Sequence, residues 1–144
     1  MNKPETAAQC FKNGYACSQA VFSTFSPELG LNKEQALKIG SAFGGGIARS
    51  GNMCGAVTGA FMAIGLKYVQ TDVNDEEAKE KCQSVVKEFI IQFRKSHNSL
   101  MCHELLGFSK DDPEGLKKAK EAGLTKSKCP YFVESAARIL EAVI

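Results

Sequence analysis

The chain has 144 residues, of which 44% are hydrophobic and 24% are charged, and its formal net charge is only +2. This size and composition suit a single globular domain, residues 1–144, that can bury a core without disulfide staples. Acidic residues are interleaved with the lysines of 117–128 or precede them, so this run is expected to be a solvated surface. We therefore expect no nucleic-acid partner, because such proteins usually present a strongly basic face.

The sequence shows no targeting or membrane segment. Its start, MNKPETAAQC, lacks the apolar core of a signal peptide. The longest apolar run, around 56–66, is shorter than the roughly 20 residues that span a bilayer, and Gly59 and Gly65 interrupt it. We expect a soluble, cytoplasmic protein that does not insert into a membrane.

Helical periodicity runs through almost the whole sequence, and no segment alternates convincingly with the period of a strand. A first helix is predicted over 4–25, because one face of it carries Cys10, Gly14, Cys17, Val21 and Phe25. A second helix is capped by Asn32 and ends at the glycines 44–46. A third begins near Met53 and continues to about residue 68.

The second half of the chain predicts four more helices. A long helix after residue 74 carries an apolar stripe, and a short one follows Ser99 and closes at Gly107. The next begins at Asp112 and ends at Gly123, and the last begins at Cys129, which precedes a proline. The sequence thus predicts an all-α, single-domain bundle of about five to seven helices.

Cysteines are the chemically informative residues. The six are Cys10, Cys17, Cys54, Cys82, Cys102 and Cys129. Because nothing points to export, metal binding or redox chemistry is a better expectation than a disulfide framework. There is no Cys-x-x-Cys motif, so neither a thioredoxin-type dithiol nor a zinc ribbon is indicated.

The predicted positions of the cysteines divide them into groups. Cys54, Cys102 and Cys129 fall at predicted helix starts, where free amides and the helix dipole stabilise a thiolate. Cys17 lies inside the predicted first helix and gains no such activation. Cys10 is two helical turns away, about 10.5 Å, which exceeds the roughly 7 Å limit for a disulfide. Cys10 and Cys82 lie on apolar stripes and are expected in the core.

The segment GGGIARSGNM, residues 44–53, is a candidate anion or cofactor site. It lacks the Lys and Ser or Thr of a P-loop. A glycine-rich turn before a helix can still hold an anion, and the candidate binding residues are Gly44, Gly45, Gly46 and Arg49. The alternative is a tight turn. Two further glycines, Gly55 and Gly59, have the spacing of close helix packing, and His103 adjoins Cys102 and could tune it.

Four segments, in order, resemble the C_GCAxxG_C_C family. They are GYACSQAV around Cys17, GGG followed by CGAVTGA around Cys54, CHELLG around Cys102, and the last cysteine, Cys129, before a C-terminal helix. The resemblance covers nearly the whole chain and implies a redox-active protein. It assigns the family's four cysteines to these four positions.

These four cysteines, Cys17, Cys54, Cys102 and Cys129, are the candidate catalytic and metal-binding residues. They could hold an iron–sulfur cluster for electron transfer. They could instead cycle between dithiol and disulfide, with Cys54 attacking and Cys17 or Cys102 resolving. An alternative without redox activity is a structural zinc ion held by the four thiolates, or an anion-binding module built on 44–49. The redox partner is not indicated, and the small-residue helix face allows a homodimer.

Overall fold

The structure is a computed structural model that describes residues 1–68 and 71–144. The described residues form eight α-helices, two short 3-10 helices and no strand, which confirms the all-α class. The α-helices are α1 (Lys3–Lys12), α2 (Cys17–Phe25), α3 (Lys33–Gly40), α4 (Gly55–Lys67), α5 (Glu76–His97), α6 (Cys102–Leu106), α7 (Pro113–Glu121) and α8 (Leu124–Val143).

Helix α8 lies at the centre of the bundle. It packs against α1, α2, α4 and α5, and α2 packs in turn against α1, α3 and α4. The largest side chains that are fully buried between these helices are Phe89, Phe93, Ile64 and Leu140. In the described part of the chain, no helix has both the length and the apolar character needed to cross a membrane.

The predicted first helix is in fact two helices, so that prediction was wrong. Helix α1 ends at Lys12, and Gly14 follows with φ +110°, a conformation that side-chain-bearing residues rarely adopt. The chain turns there, and α2 begins at Cys17. Cys17 is therefore a helix-start residue, and the two-turn spacing from Cys10 does not apply. Cys10 is buried, as expected.

The last helix also differs from its predicted start. It begins at Leu124, just after Gly123 with φ +65°, so Cys129 lies in its second turn and Pro130 is inside it. A proline here removes one backbone donor to the carbonyl of Lys126. Because Lys126 is exposed, water can satisfy that carbonyl. The prediction that Cys129 lies at a helix start was therefore wrong.

Helices α2 and α4 pack closely through the glycines of α4, as their spacing predicted. A Cβ atom on Gly59 would lie 2.8 Å from the carbonyl oxygen of Ser18, and one on Gly55 would lie 3.0 Å from the amide nitrogen of Ser18. The Ser18 hydroxyl donates a 2.6 Å hydrogen bond to the carbonyl of Gly40, which fixes α2 against the end of α3. This packing brings Cys17 beside the start of α4.

Candidate functional site

The four candidate cysteines line one small cavity. Its volume is about 10 Å³, which is room for about one water molecule. All four side chains are buried, and none of them is in a disulfide: Cys17, Cys54, Cys102 and Cys129. The fold therefore gathers in one place four sulfurs that come from four different helices or helix starts.

A short backbone pairing places Cys54 and Cys102. The amide of Cys54 donates to the carbonyl of Leu100 at 2.8 Å, and the amide of Cys102 donates to the carbonyl of Asn52 at 2.7 Å. This antiparallel pairing joins the starts of α4 and α6 around a single bridge, Met53 with Met101. A strand pattern in the sequence could not reveal it, because it involves so few residues.

The glycine segment forms one wall of the cavity. Residues 45–49 all have positive φ and make a left-handed turn that includes three residues other than glycine, Ile47, Ala48 and Arg49. Each of these three costs roughly 1–2 kcal/mol in that conformation. A Cβ atom on Gly46 would lie 2.7 Å from the Cβ of Cys102, so only glycine allows this contact.

The glycine segment also contains the predicted anion site, and most of its backbone amides are already hydrogen-bonded. The amides of residues 47–52 all donate to backbone carbonyls of residues 42–47. An anion held by backbone amides of this segment would therefore have to bind those of residues 44–46. Anion binding by Gly44, Gly45 and Gly46 stays a prediction, and Arg49 is exposed to solvent.

The two histidines hold structural positions. His103 anchors the glycine segment to α6 through the carbonyl oxygen of Gly51. The backbone amide of His103 donates to this oxygen at 3.1 Å, and its Nδ1 lies 2.7 Å from the same oxygen. His97 packs against the rings of Phe93 and Phe132, and its Nε2 is 2.7 Å from the Ser135 hydroxyl. Burial lowers the pKa of His97.

The thiols of Cys17 and Cys129 shift each other's pKa in opposite directions. The Cys17 thiol donates a hydrogen bond to the sulfur of Cys129, which is the main reason that the pKa of Cys129 is lowered. The same bond, together with burial, holds the pKa of Cys17 well above its usual range. Of the two thiols, Cys129 therefore loses its proton more readily.

Cys54 shows why a helix start was not enough to make a low-pKa thiol. The backbone amides of Ala56 and Val57 favour the thiolate, but burial outweighs them and raises the pKa of Cys54 to about 12. Burial also raises the pKa of Cys102. The expectation that Cys54 is the attacking thiol is therefore not supported, since Cys129 has the lowered pKa.

Lys110 is a site residue that sequence reasoning missed. It lines the thiol cavity from the connection between α6 and α7. Its ammonium lowers the pKa of Cys17, Cys102 and Cys129, in each case against larger or comparable opposing contributions from burial. The sequence carried no signal for this role, because Lys110 stands beside two aspartates in a segment without periodicity.

Replacing Lys110 with glutamine should raise the pKa of Cys129, because the favourable charge is lost. The Cβ chemical shift of Cys129, followed against pH, should move its midpoint upward by about half a unit to one unit, as for other thiols that lose a cationic neighbour. Lys110→Arg should restore the midpoint. Lys117→Gln, which removes an exposed charge outside the cavity, is the control. An unchanged midpoint in Lys110→Gln would show that the ammonium does not act on Cys129.

Metal binding by the four thiols stays a prediction. Across residues 1–68 and 71–144, no group of three or more His, Cys, Asp and Glu side chains is placed to hold a metal ion. An iron–sulfur cluster is also larger than a cavity for one water, so the cysteines would have to move apart to admit it.

These features define a class: a small all-α domain with a buried site of four thiols. Residues 15–143 match the model of the family described as "Putative redox-active protein (C_GCAxxG_C_C)". Because the match covers most of the chain, the protein belongs to the C_GCAxxG_C_C family, as its motifs indicated. Neither a curated protein nor a solved structure matches the chain.

Proposed function

We propose that Cys17 and Cys129 form a dithiol/disulfide couple that exchanges electrons with an external disulfide. The observation that carries this proposal is that both thiols are buried in the lining of one small cavity, where each shifts the pKa of the other. Membership of a family described as redox-active supports it at the level of general function. The lowered pKa of Cys129 makes it the nucleophile, because the thiolate is the attacking species.

The reaction balances as two exchange steps. The Cys129 thiolate attacks one sulfur of a disulfide RSSR, which forms a mixed disulfide and releases RS⁻. Cys17, after losing its proton to that leaving thiolate, attacks the Cys129 sulfur and releases the second RS⁻. The protein loses two electrons and the one proton of Cys17 and forms the Cys17–Cys129 disulfide. RSSR becomes one RSH and one RS⁻, and this RS⁻ takes its proton from water.

The pKa difference assigns the order of the steps. Cys17 holds its proton more tightly than Cys129, so it stays a thiol until the mixed disulfide forms. Once Cys129 is no longer a thiolate, the bond that favoured the Cys17 proton is gone and Cys17 can act as the resolving thiol. Cys54 and Cys102 stay protonated near neutral pH, because burial raises the pKa of both.

Thiol counting on protein purified without oxygen tests the couple. Treatment with diamide should lower the free thiols from six to four, reversibly, and peptide mapping should find Cys17 joined to Cys129. The Cys82→Ser variant is the matched control, because Cys82 is only half-buried and lies outside the cavity. It should form the same disulfide, whereas Cys17→Ser should form none within the cavity. A disulfide between other cysteines, or none at all, would refute the couple.

The iron–sulfur cluster and the zinc ion stay predictions that the same preparation addresses. Iron with sulfide, or one zinc per chain, that is lost in Cys17→Ser and Cys129→Ser would show that the four cysteines bind metal. That result would contradict a free dithiol couple, because the ligating thiolates would be unavailable for exchange.

A further inference from the structure

A groove of about 660 Å³ lies beside the thiol cavity. It is formed by the side chains of α7, the start of α8 and Arg49 of the glycine segment. Leu116 and Ala119 contribute apolar surface to its lining. This volume lies in the range of 300–1,000 Å³ that is typical of small-molecule sites, which also combine apolar walls with a few polar groups.

The groove is strongly cationic. Four of its lining side chains carry positive charge, Arg49, Lys110, Lys120 and Lys126, against a single carboxylate, Glu121. Within the described residues, the ion pairs of the protein involve none of these five side chains. The charges are therefore available to a ligand rather than neutralised by the protein. The start of α8, where Gly123 provides no side-chain cap, adds the positive end of a helix dipole to the same groove.

Lys110 connects the groove to the thiols, because it lines both the groove and the thiol cavity. An anionic group that pairs with the groove cations would hold the rest of its molecule next to the wall behind which Cys129 lies. The positive charges of the groove should therefore favour anionic over cationic molecules in reaching the Cys129 sulfur.

We propose that the groove binds anionic low-molecular-weight disulfides and that these are the oxidants of the Cys17–Cys129 couple. This inference rests on the proposed couple and adds its substrate class. The disulfide is reduced to two thiols and the protein dithiol is oxidised, by the two exchange steps given above. The concave shape and the volume favour a small molecule over the surface of an acidic protein.

Three disulfides of similar length and different charge test the substrate class. They are 3,3′-dithiodipropionate (a dianion), bis(2-hydroxyethyl) disulfide (neutral) and cystamine (a dication). At low ionic strength, the reduced protein should react with the dianion at least about tenfold faster than with the dication, with the neutral compound between them. Added salt should narrow the ratio, because it screens exposed charges.

A double variant locates the effect. Lys120→Gln with Lys126→Gln should lower the ratio of dianion to dication rates by about fivefold, because two of the groove's four cations are removed. Lys117→Gln with Lys118→Gln is the matched control: it removes the same charge from the same region, from side chains that do not line the groove. Equal rates for the three disulfides, or an equal loss in the control, would overturn the inference.

Binding without reaction separates this inference from the proposed couple. Suberate has the two carboxylates of dithiodipropionate with two methylenes in place of the disulfide, so it cannot exchange. Calorimetry should show suberate binding to Cys17→Ser, and weaker binding when Lys120→Gln and Lys126→Gln are added. Suberate binding, together with a wild-type protein that forms no Cys17–Cys129 disulfide on treatment with diamide, would refute the couple while leaving the anion groove. A disulfide that forms with no charge preference and no suberate binding would refute the groove while leaving the couple.

Discussion

Gly59→Ala should destabilise the protein by about 1–3 kcal/mol, the usual cost of forcing an extra methyl group into a packed core. The added Cβ would lie 2.8 Å from the carbonyl oxygen and 3.2 Å from the Cα of Ser18. Both are backbone atoms of α2, so no side chain can rotate away and the helices must separate. The free energy of unfolding from urea denaturation measures the loss.

The same helix provides a matched control. Gly65 lies in α4, has ordinary helical φ, and a Cβ there would meet no atom within 4 Å. Gly65→Ala should therefore stabilise the protein by roughly 0.4–1 kcal/mol, because alanine restricts the unfolded chain. If both variants changed stability in the same direction, the close approach of α2 and α4 would not be the cause.

The close packing also matters to the site, because α2 carries Cys17 to the cavity. A separation of α2 from α4 in Gly59→Ala should weaken the contact between Cys17 and Cys129. The pKa of Cys129 should then rise, since its hydrogen bond from Cys17 is the main cause of its lowered value. The pH midpoint of the Cys129 Cβ shift in this variant would reveal that coupling.

Alkaline pH should destabilise the folded protein through Cys54. Its pKa is about 12 in the folded state, against about 8.5 for an unperturbed thiol in the unfolded chain. The folded state therefore keeps a proton that the unfolded state loses. The stabilisation is fully present below the unfolded pKa and is lost as the pH rises toward the folded pKa. At about pH 10.5 the loss from this thiol alone should be about 3 kcal/mol.

A difference between variants isolates this contribution from other groups that titrate in the same range. Urea unfolding under reducing conditions, at about pH 7 and about pH 10.5, should show a smaller drop in stability for Cys54→Ala than for the wild-type protein. Cys82→Ala is the control, because its thiol is half-buried and outside the cavity. An equal drop in all three proteins would mean that the Cys54 thiol is not as shielded from water as its burial indicates.

Local signals in the sequence predicted most of the fold. Asn32, whose side chain accepts from the amide of Gln35, and Asp112, whose side chain accepts from Glu114, cap helices as predicted. Gly107 closes α6 in a left-handed conformation. The two wrong boundaries arose where periodicity continued through a break at Gly14 and where a cysteine–proline pair imitated a helix start. In both places a glycine with positive φ, Gly14 before α2 and Gly123 before α8, sets the boundary.

The sequence by itself determined the helical class and the four cysteines Cys17, Cys54, Cys102 and Cys129, because periodicity, capping residues and family motifs are local properties that the chain carries in order. The tertiary structure alone decided which thiols meet and which of them has a lowered pKa. Those outcomes depend on burial and on neighbours far away in the sequence, such as Cys17 for Cys129 and Lys110 for both. Burial thus raised the pKa of Cys54, which lies at a helix start. The pKa of Cys129, which lies inside a helix, was lowered by Cys17, 112 positions earlier in the sequence.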